Sequence, residues 1–189
     1  MTRTDAWGAV RPLRGALFLA IGRAAGLHDM PQDAPGAARS FIAAALALPP
    51  FLATLALAAQ VGGPTLTVRH VALDFLGFVI GWAGYAVVSH HLAGALGRAR
   101  QWPRFIATWN WINLIQYLIL LLATLPALSG SAPVAQLAAL AGQAWALGIE
   151  FHAIRLSLEV SPLQAAGMML PDIAIGLGLA LALAALGAG

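Results

Sequence analysis

Apolar residues along this chain form five long runs separated by short polar breaks. The runs cover residues 39–60, 71–96, 104–127, 133–155 and 163–187. Each is long enough for an α-helix to cross the hydrocarbon core of a bilayer, which takes about 20 residues. The breaks hold turn-forming residues: GGP at 62–64, GRARQWPR at 97–104, SGSAP at 129–133 and EVSP at 159–162. We predict an all-α fold, a polytopic membrane bundle of five transmembrane helices with sequence-adjacent helices packed antiparallel.

The residues before the first run predict a separate N-terminal segment, 1–38, followed by a transmembrane domain, 39–189. On a helical wheel one side of this segment is apolar, with Leu13, Leu17, Phe18 and Ile21. The other side carries Arg11, Gly15, Gly22 and Arg23. Such a helix is expected to lie on the membrane surface. A cleaved signal peptide is the alternative, but Arg23 interrupts its apolar stretch and no convincing cleavage site follows.

Composition and charge then set the environment and the orientation. Of 189 residues, 60% are hydrophobic and 9% are charged, whereas a soluble chain has roughly 25% charged residues. All ten basic residues are arginine, and nine of them fall on one side of the predicted membrane: Arg3, Arg11, Arg14, Arg23, Arg39, Arg98, Arg100, Arg104 and Arg155. Only Arg69 falls on the other side. The positive-inside rule predicts a multi-pass protein of the bacterial inner membrane with a cytoplasmic N-terminus and a periplasmic C-terminus.

Several chemistries lack their signature residues. The chain has no cysteine, which excludes disulfides, thiol catalysis and cysteine metal sites. GxSxG, HExxH and phosphate-binding glycine motifs are absent, as is any DNA-binding pattern. A metal site formed by His90, His91, His152 and Glu150 has no supporting ligand spacing. We therefore expect no enzyme activity, no catalytic residue, no cofactor, no bound metal and no nucleic-acid partner.

Polar residues within the apolar runs are the candidate functional residues. Asn110, Asn113 and Tyr117 share a helix face, and Gln136, Gln143 and Glu150 recur every seven residues. Asp172 follows Pro171 deep within the fifth run. Amides and carboxyls at such depth should face other helices or water rather than lipid. The predicted intramembrane polar cluster contains Asn110, Asn113, Gln116, Gln143, Glu150, Asp172, His90 and His91. It is either interhelical hydrogen bonding or a functional site with a proton-carrying acid.

Glycine and proline positions predict helix packing and kinks. Gly77 and Gly81, with Gly84 nearby, have the small-residue spacing that lets two helices approach closely. This face could pack within the chain or against a second copy. Pro49 and Pro50 interrupt the first run and predict a kinked helix. The tryptophans at 102, 109 and 111 are expected at the cytoplasmic membrane interface, where indoles are enriched.

Two segments carry a family resemblance. The stretch MPQDAPGAARSFIAAALALPPFL (30–52), leading into five spans, resembles bacterial members of the Yip family of small five-span membrane proteins. RFIATWNWINLIQ (104–116) is similar to a segment of small alphaproteobacterial membrane proteins. The resemblance implies a membrane organiser or adaptor, and it assigns no active residue.

Two functions follow from these observations. The first is a Yip-like, non-enzymatic membrane organiser, adaptor or complex subunit, with the lipid bilayer and either a second copy or other membrane proteins as partners. The second is a small transporter or channel that uses the intramembrane polar cluster. An open, water-accessible path along the cluster favours transport, whereas a dry, fully hydrogen-bonded cluster favours a structural role.

Overall fold

The structure, a computed structural model, describes residues 3–187 of the chain and the side chains of residues 8–186. This part forms seven α-helices: α1 (Arg3–Ala20), α2 (Ala34–Ser40), α3 (Ile42–Gln60), α4 (Val68–Ala95), α5 (Trp102–Thr124), α6 (Ala132–Leu158) and α7 (Pro162–Gly187). Two 3₁₀ turns, Ala24–Asp29 and Leu125–Ser129, follow α1 and α5.

Five stretches of helix are long and apolar enough to cross a membrane: Ala34–Gln60, Val68–Ala95, Trp102–Ser129, Ala132–Leu158 and Pro162–Leu186. They match the five predicted runs within a few residues at most boundaries. The prediction of an all-α, multi-pass membrane bundle is confirmed. Two of the predicted breaks contain a glycine in the left-handed backbone conformation. Gly97 and Gly130 follow helix ends with φ of 70° and 73°, which glycine adopts at little cost.

Helix α5 lies at the centre of the bundle and packs chiefly against α3 and α6, with α1 and α2 also against it. Every residue from Phe105 to Ile112 is buried. Trp109 and Trp111 are only 3% and 2% exposed, so both indoles pack inside the protein and not on its surface. A helix that is apolar on all sides takes a buried position when enough neighbours surround it, and here the tryptophans fill the core.

The N-terminal helix α1 has one face toward the protein and one face away from it. Ala16 and Leu19 are buried, whereas Leu17 and Ile21 are 50% and 59% exposed, as a lipid-contacting side requires. Gly15, which the wheel placed on the polar side, is buried because the 3₁₀ turn folds back over it. A Cβ at Gly15 would lie 2.5 Å from the carbonyl oxygen of Gly26. This close approach packs the 3₁₀ turn against α1 within the N-terminal segment, and α1 itself packs against α5 and α6.

Helices α4 and α7 form an antiparallel pair. The predicted glycine face of α4 is covered by α7, since Gly77, Gly81 and Gly84 face Leu183, Leu179 and Ile175. The Tyr85 hydroxyl donates to the Met168 carbonyl at 3.0 Å. Arg69 donates to the Leu186 carbonyl at 2.6 Å. This pair packs much less extensively against α5 and α6 than those two helices pack against each other.

The proline positions lie within continuous helices. Pro49 and Pro50 are inside α3, and Pro171 is inside α7. Proline has no N–H, so it leaves one carbonyl of the preceding turn without its helical partner. The affected carbonyls, four residues before each proline, are those of Ala45 and Leu46 in α3 and of Gly167 in α7. The Thr54 hydroxyl donates instead to the Pro50 carbonyl at 2.9 Å, and Tyr85 donates to Met168, one residue after Gly167.

Candidate functional site

The seam between the α4–α7 pair and helices α3, α5 and α6 contains two adjoining cavities of about 320 and 460 Å³. Both are lined by Asn113, Tyr117, Asp172, Gly176 and Ala180. We call the two together the seam cavity. The 460 Å³ part also contains Gln116, Gln143 and Glu150. Five members of the predicted polar cluster therefore line one space.

Glu150 projects from α6 into the buried side of this cavity. It is 2% exposed, and its Oε2 is 3.4 Å from the Gln116 side-chain nitrogen. That nitrogen also donates to the Ala146 carbonyl at 2.9 Å. The other carboxyl oxygen, Oε1, has no hydrogen-bond partner within the part of the chain that the structure describes. A buried carboxyl oxygen without a partner is costly, so its position facing a cavity needs an explanation.

Asp172 lies on α7 and lines both parts of the seam cavity. It is about 15 Å along α7 from Pro162, and Glu150 is about 12 Å from the end of α6, at 1.5 Å per residue. Because the two helices are antiparallel and joined by a short turn, the acids lie at similar depth. Their carboxyl groups are within interacting distance of each other. The turn between α6 and α7 therefore creates the carboxyl pair.

A third acid, Asp74, was missed by the sequence reasoning. It lines the 320 Å³ part of the seam cavity and also a further cavity of about 440 Å³ that His70 lines. Asp74 is four residues into the second predicted run, and an ionisable residue inside a span is the signal that could have found it. Acidic side chains therefore line the seam from the carboxyl pair toward the end of the bundle that holds Arg69.

Aromatic rings form much of the 320 Å³ part of the cavity. Its aromatic lining residues are Phe51, Phe78, Trp82, Trp109 and Tyr117. Their ring centroids lie close together: 5.0 Å for Phe51 and Phe78, 5.5 Å for Phe78 and Tyr117, and 5.3 Å for Trp82 and Trp109. Three separate helices, α3, α4 and α5, contribute them. Of these five, Tyr117 and Trp109 were noted from the sequence, Tyr117 on the polar face of its helix and Trp109 as an interfacial residue.

Three members of the predicted cluster lie elsewhere. Asn110 donates to the Ser40 hydroxyl at 2.8 Å and packs against α2. His90 and His91 are exposed, and the His90 ring packs edge-on against Trp102 at 4.8 Å. The inward position on this turn belongs to Ser89, which accepts a bond from the Trp102 indole at 3.2 Å. Adjacent helical residues point about 100° apart, so neither histidine reaches the seam cavity.

The cavity as a whole is acidic. Its lining includes Asp74, Glu150 and Asp172, and no arginine or histidine is among the described residues that line its two parts. Within residues 3–187 no group of three or more His, Asp or Glu side chains is placed to hold a metal ion. The arrangement can hold a positive charge between carboxylates, or carry a proton on one of them. Comparison of the chain with protein-family models, with curated proteins and with solved structures yields no match.

Proposed function

We propose that this protein is a small, non-enzymatic transporter or channel that moves a cation across the bacterial inner membrane, with Glu150 and Asp172 as the ion-binding groups. One observation carries the proposal. The buried Glu150 carboxyl has an unpartnered oxygen and lines a cavity of about 460 Å³ that it shares with Asp172.

The energetic cost of these acids supports a functional role. An acid at the centre of a membrane helix costs about 2.5–3.5 kcal/mol on insertion scales, and such residues commonly mark ion pathways. A purely structural role needs compensating bonds. Asn110 donates such a bond to Ser40, although its own side-chain oxygen has no partner among the described residues. Glu150 receives one long contact from Gln116 and lies within interacting distance of Asp172 and Trp109. The two acids are therefore paired with each other, and no described arginine or histidine lines their cavity.

Asymmetry of charge supports the orientation that we propose, with the N-terminus in the cytoplasm and the C-terminus in the periplasm. Arg98, Arg100 and Arg104 lie at the α4–α5 turn, and Arg155 lies in the last turn of α6. These two turns are at one end of the antiparallel bundle, and positively charged loops favour the cytoplasmic side. In this orientation the carboxyl pair lies in the cytoplasmic half, and Asp74 lies in the periplasmic half.

The competing proposal is a Yip-like organiser. Its main support was a glycine face on α4 that could pack against a second copy of the chain. The glycine face that suggested self-association is occupied by α7 of the same chain. The family resemblance itself stays a prediction. An organiser needs an outward-facing surface for a partner, whereas the acids face inward, so the two proposals make opposite predictions about carboxyl substitutions.

The test is ion flux in proteoliposomes. Purified protein is reconstituted with lumenal dyes for H⁺, Na⁺ or K⁺, and an imposed membrane potential drives entry. We expect flux of at least one of these cations with the wild-type protein. Glu150→Gln and Asp172→Asn should reduce it to the rate of protein-free liposomes. Asp33→Asn is the matched control, since it makes the same chemical change as Asp172→Asn at an exposed carboxyl outside the cavity, and asparagine keeps the helix-capping role of Asp33.

Two results would contradict transport of these inorganic cations. In the first, wild-type proteoliposomes leak no more than empty ones for all three ions. In the second, both carboxyl variants carry wild-type flux. A parallel purification from native membranes, with a tag at the N-terminus, distinguishes the organiser. A stoichiometric protein partner together with absent flux would establish the adaptor or subunit role instead.

A further inference from the structure

The 320 Å³ part of the seam cavity combines aromatic walls with acidic groups. Five aromatic side chains and two acids, Asp74 and Asp172, line it. The rings and the two acids line the same space of about 320 Å³. A site for a small inorganic cation has a different character: Na⁺, Mg²⁺ and Ca²⁺ are bound by several oxygen ligands, whereas most of this lining is hydrocarbon.

Aromatic faces have a specific affinity for weakly hydrated cations. The ring quadrupole attracts a cation within about 6 Å of the centroid, and aromatic cages recognise quaternary ammonium groups in this way. The alkyl groups of such a cation bury apolar surface against the same rings. A nearby carboxylate supplies the balancing negative charge. Aromatic walls and an acid in one cavity therefore favour an organic cation over a bare metal ion.

A polar contact at the boundary between the two parts brings the carboxyl pair next to the rings. The Trp109 indole is 3% exposed and lines the 320 Å³ part of the cavity. Its Nε1–H makes no well-formed hydrogen bond among the described residues, but it lies close enough to the Glu150 carboxyl on the other side of the boundary to interact with it. The negative charge of the carboxyl pair is therefore adjacent to the aromatic walls. A proton alone would not need a space of this size.

We propose that the seam cavity binds an organic cation, a quaternary ammonium compound or a protonated amine with apolar substituents, as the substrate of transport. This inference deepens the proposed function and rests on it. The charged nitrogen lies between the aromatic rings and Asp172, and the apolar substituents contact Phe78, Trp82 and Tyr117.

The experiment measures binding directly, with the full-length protein in nanodiscs and isothermal titration calorimetry. The probes are choline and its uncharged carbon isostere, 3,3-dimethyl-1-butanol, which differ in the positive charge and little in shape. We expect choline to bind and the isostere to bind at least about tenfold more weakly. That ratio corresponds to about 1.4 kcal/mol, within the range of a desolvated cation–π contact.

Variants then locate the site. Asp172→Asn should weaken choline binding at least about tenfold, and Phe78→Leu roughly two- to thirtyfold, as expected for loss of one aromatic contact. Phe75→Leu is the matched control. Phe75 is on the same helix and its ring lies 6.5 Å from that of Phe78, but it is exposed and outside the cavity. Wild-type gel-filtration and circular-dichroism profiles show that a variant is folded.

Each outcome has a defined meaning. Equal binding of choline and the isostere, or no binding of either to the wild-type protein, overturns the organic-cation inference. If choline does not bind but carboxyl-dependent flux of H⁺, Na⁺ or K⁺ is present, the inference fails and the transport proposal stands. If choline binds with the expected dependence on Asp172 and Phe78 but no ion and no labelled choline crosses the membrane, the site stands and transport fails. The wild-type probe comparison needs no mutant, so misfolding cannot obscure it.

Discussion

The Arg104 guanidinium, at the start of α5, joins α5 to the end of α6 through Glu159. Its Nη2 donates to Glu159 Oε1 at 2.7 Å, and its Nη2 and Nε donate to the Ser157 carbonyl at 2.6 and 3.0 Å. The hydrogen bond and the charge of Arg104 lower the pKa of Glu159. Glu159 has a φ of 55°, which is unfavourable for a residue with a Cβ. Arg104 therefore stabilises the chain reversal that places α7, and with it Asp172, beside α6.

We predict that Arg104→Ala lowers the free energy of unfolding by about 1.5–3 kcal/mol, the usual contribution of hydrogen bonds that involve a charged group. The side chain is 16% exposed, so water replaces the lost bonds only in part. Arg100→Ala is the control, because Arg100 is exposed on the same turn. Unfolding in mixed micelles, titrated with sodium dodecyl sulfate, measures both variants. Equal stability of the two variants would contradict the structural role of Arg104.

The contact between α5 and α6 depends on Gly142. A Cβ at this position would lie 2.6 Å from the Ala123 Cβ, and neither atom belongs to a flexible side chain that could move aside. We predict that Gly142→Ala lowers the free energy of unfolding by about 1–3 kcal/mol, the usual cost of overpacking. Gly148→Ala on the same helix has no atom within 4 Å. It should be neutral, or stabilising by up to about 1 kcal/mol, because alanine has the higher helix propensity.

The stabilities of these two variants can also contradict the close contact between α5 and α6. If Gly142→Ala were as stable as Gly148→Ala in the detergent titration, α5 and α6 would have to be farther apart than they are in this structure.

Asn110 and Ser40 connect the central helix to α2 across 70 residues of sequence. Hydrogen bonds between membrane helices contribute about 0.6 kcal/mol on average and up to about 1.7 kcal/mol. A double-mutant cycle with Asn110→Ala and Ser40→Ala should give a coupling energy in this range. Neither change should alter cation flux, since Asn110 does not line the seam cavity. A coupling energy of zero would argue against this bond.

The position of α1 should depend on pH through Asp29. Arg14 donates two bonds of 2.8 Å to its carboxylate, and this hydrogen bonding to Arg14 is the main reason that the pKa of Asp29 is lowered. A carboxyl with a lowered pKa in the folded state stabilises that state above its unfolded pKa, about 3.9. The contribution is lost as the pH falls through the folded pKa. We therefore expect weaker protection of α1 against proteolysis below about pH 4.

Asp29→Asn should remove that pH dependence and leave α1 cleaved more readily at neutral pH, because the amide cannot form the ion pair. Glu159→Gln, at the turn between α6 and α7, should retain the pH dependence of α1, because Glu159 pairs with Arg104 and not with α1. Limited proteolysis in detergent between pH 3 and pH 7 compares the three proteins. Identical pH profiles for the wild type and Asp29→Asn would contradict this account.

The spans could be predicted from the sequence because length and hydropathy determine whether a helix crosses a bilayer. The sequence could not predict which side chains are buried within the bundle. Tryptophan is a residue type that is enriched at membrane interfaces. Only the arrangement of helices around α5 places Trp109 and Trp111 in the core. Asp172 and Glu150 were identifiable as acids within apolar runs. Their pairing depends on the short α6–α7 turn, which fixes equal depth on antiparallel helices.

The aromatic lining could not be predicted for a related reason. Phe51, Phe78 and Trp82 are unremarkable in apolar runs, and their meeting with Tyr117 requires the relative rotations of three helices. For the histidines, the sequence predicted a position in the cluster that the structure does not show. His90 and His91 were placed in the cluster by depth alone, although only one position per turn faces inward, and here that position is Ser89.

The contacts across the seam have a mechanical consequence. The hydrogen bonds of α7 to α4, from Tyr85 to Met168 and from Arg69 to Leu186, lie within the pair. Across the seam, α4 meets α5 through the rings of Trp82 and Tyr85 against Trp109 and through the bond from Trp102 to Ser89. A movement of the pair relative to α5 would have to slide these rings and break that bond. It would also change the distance between Asp172 on α7 and Glu150 on α6.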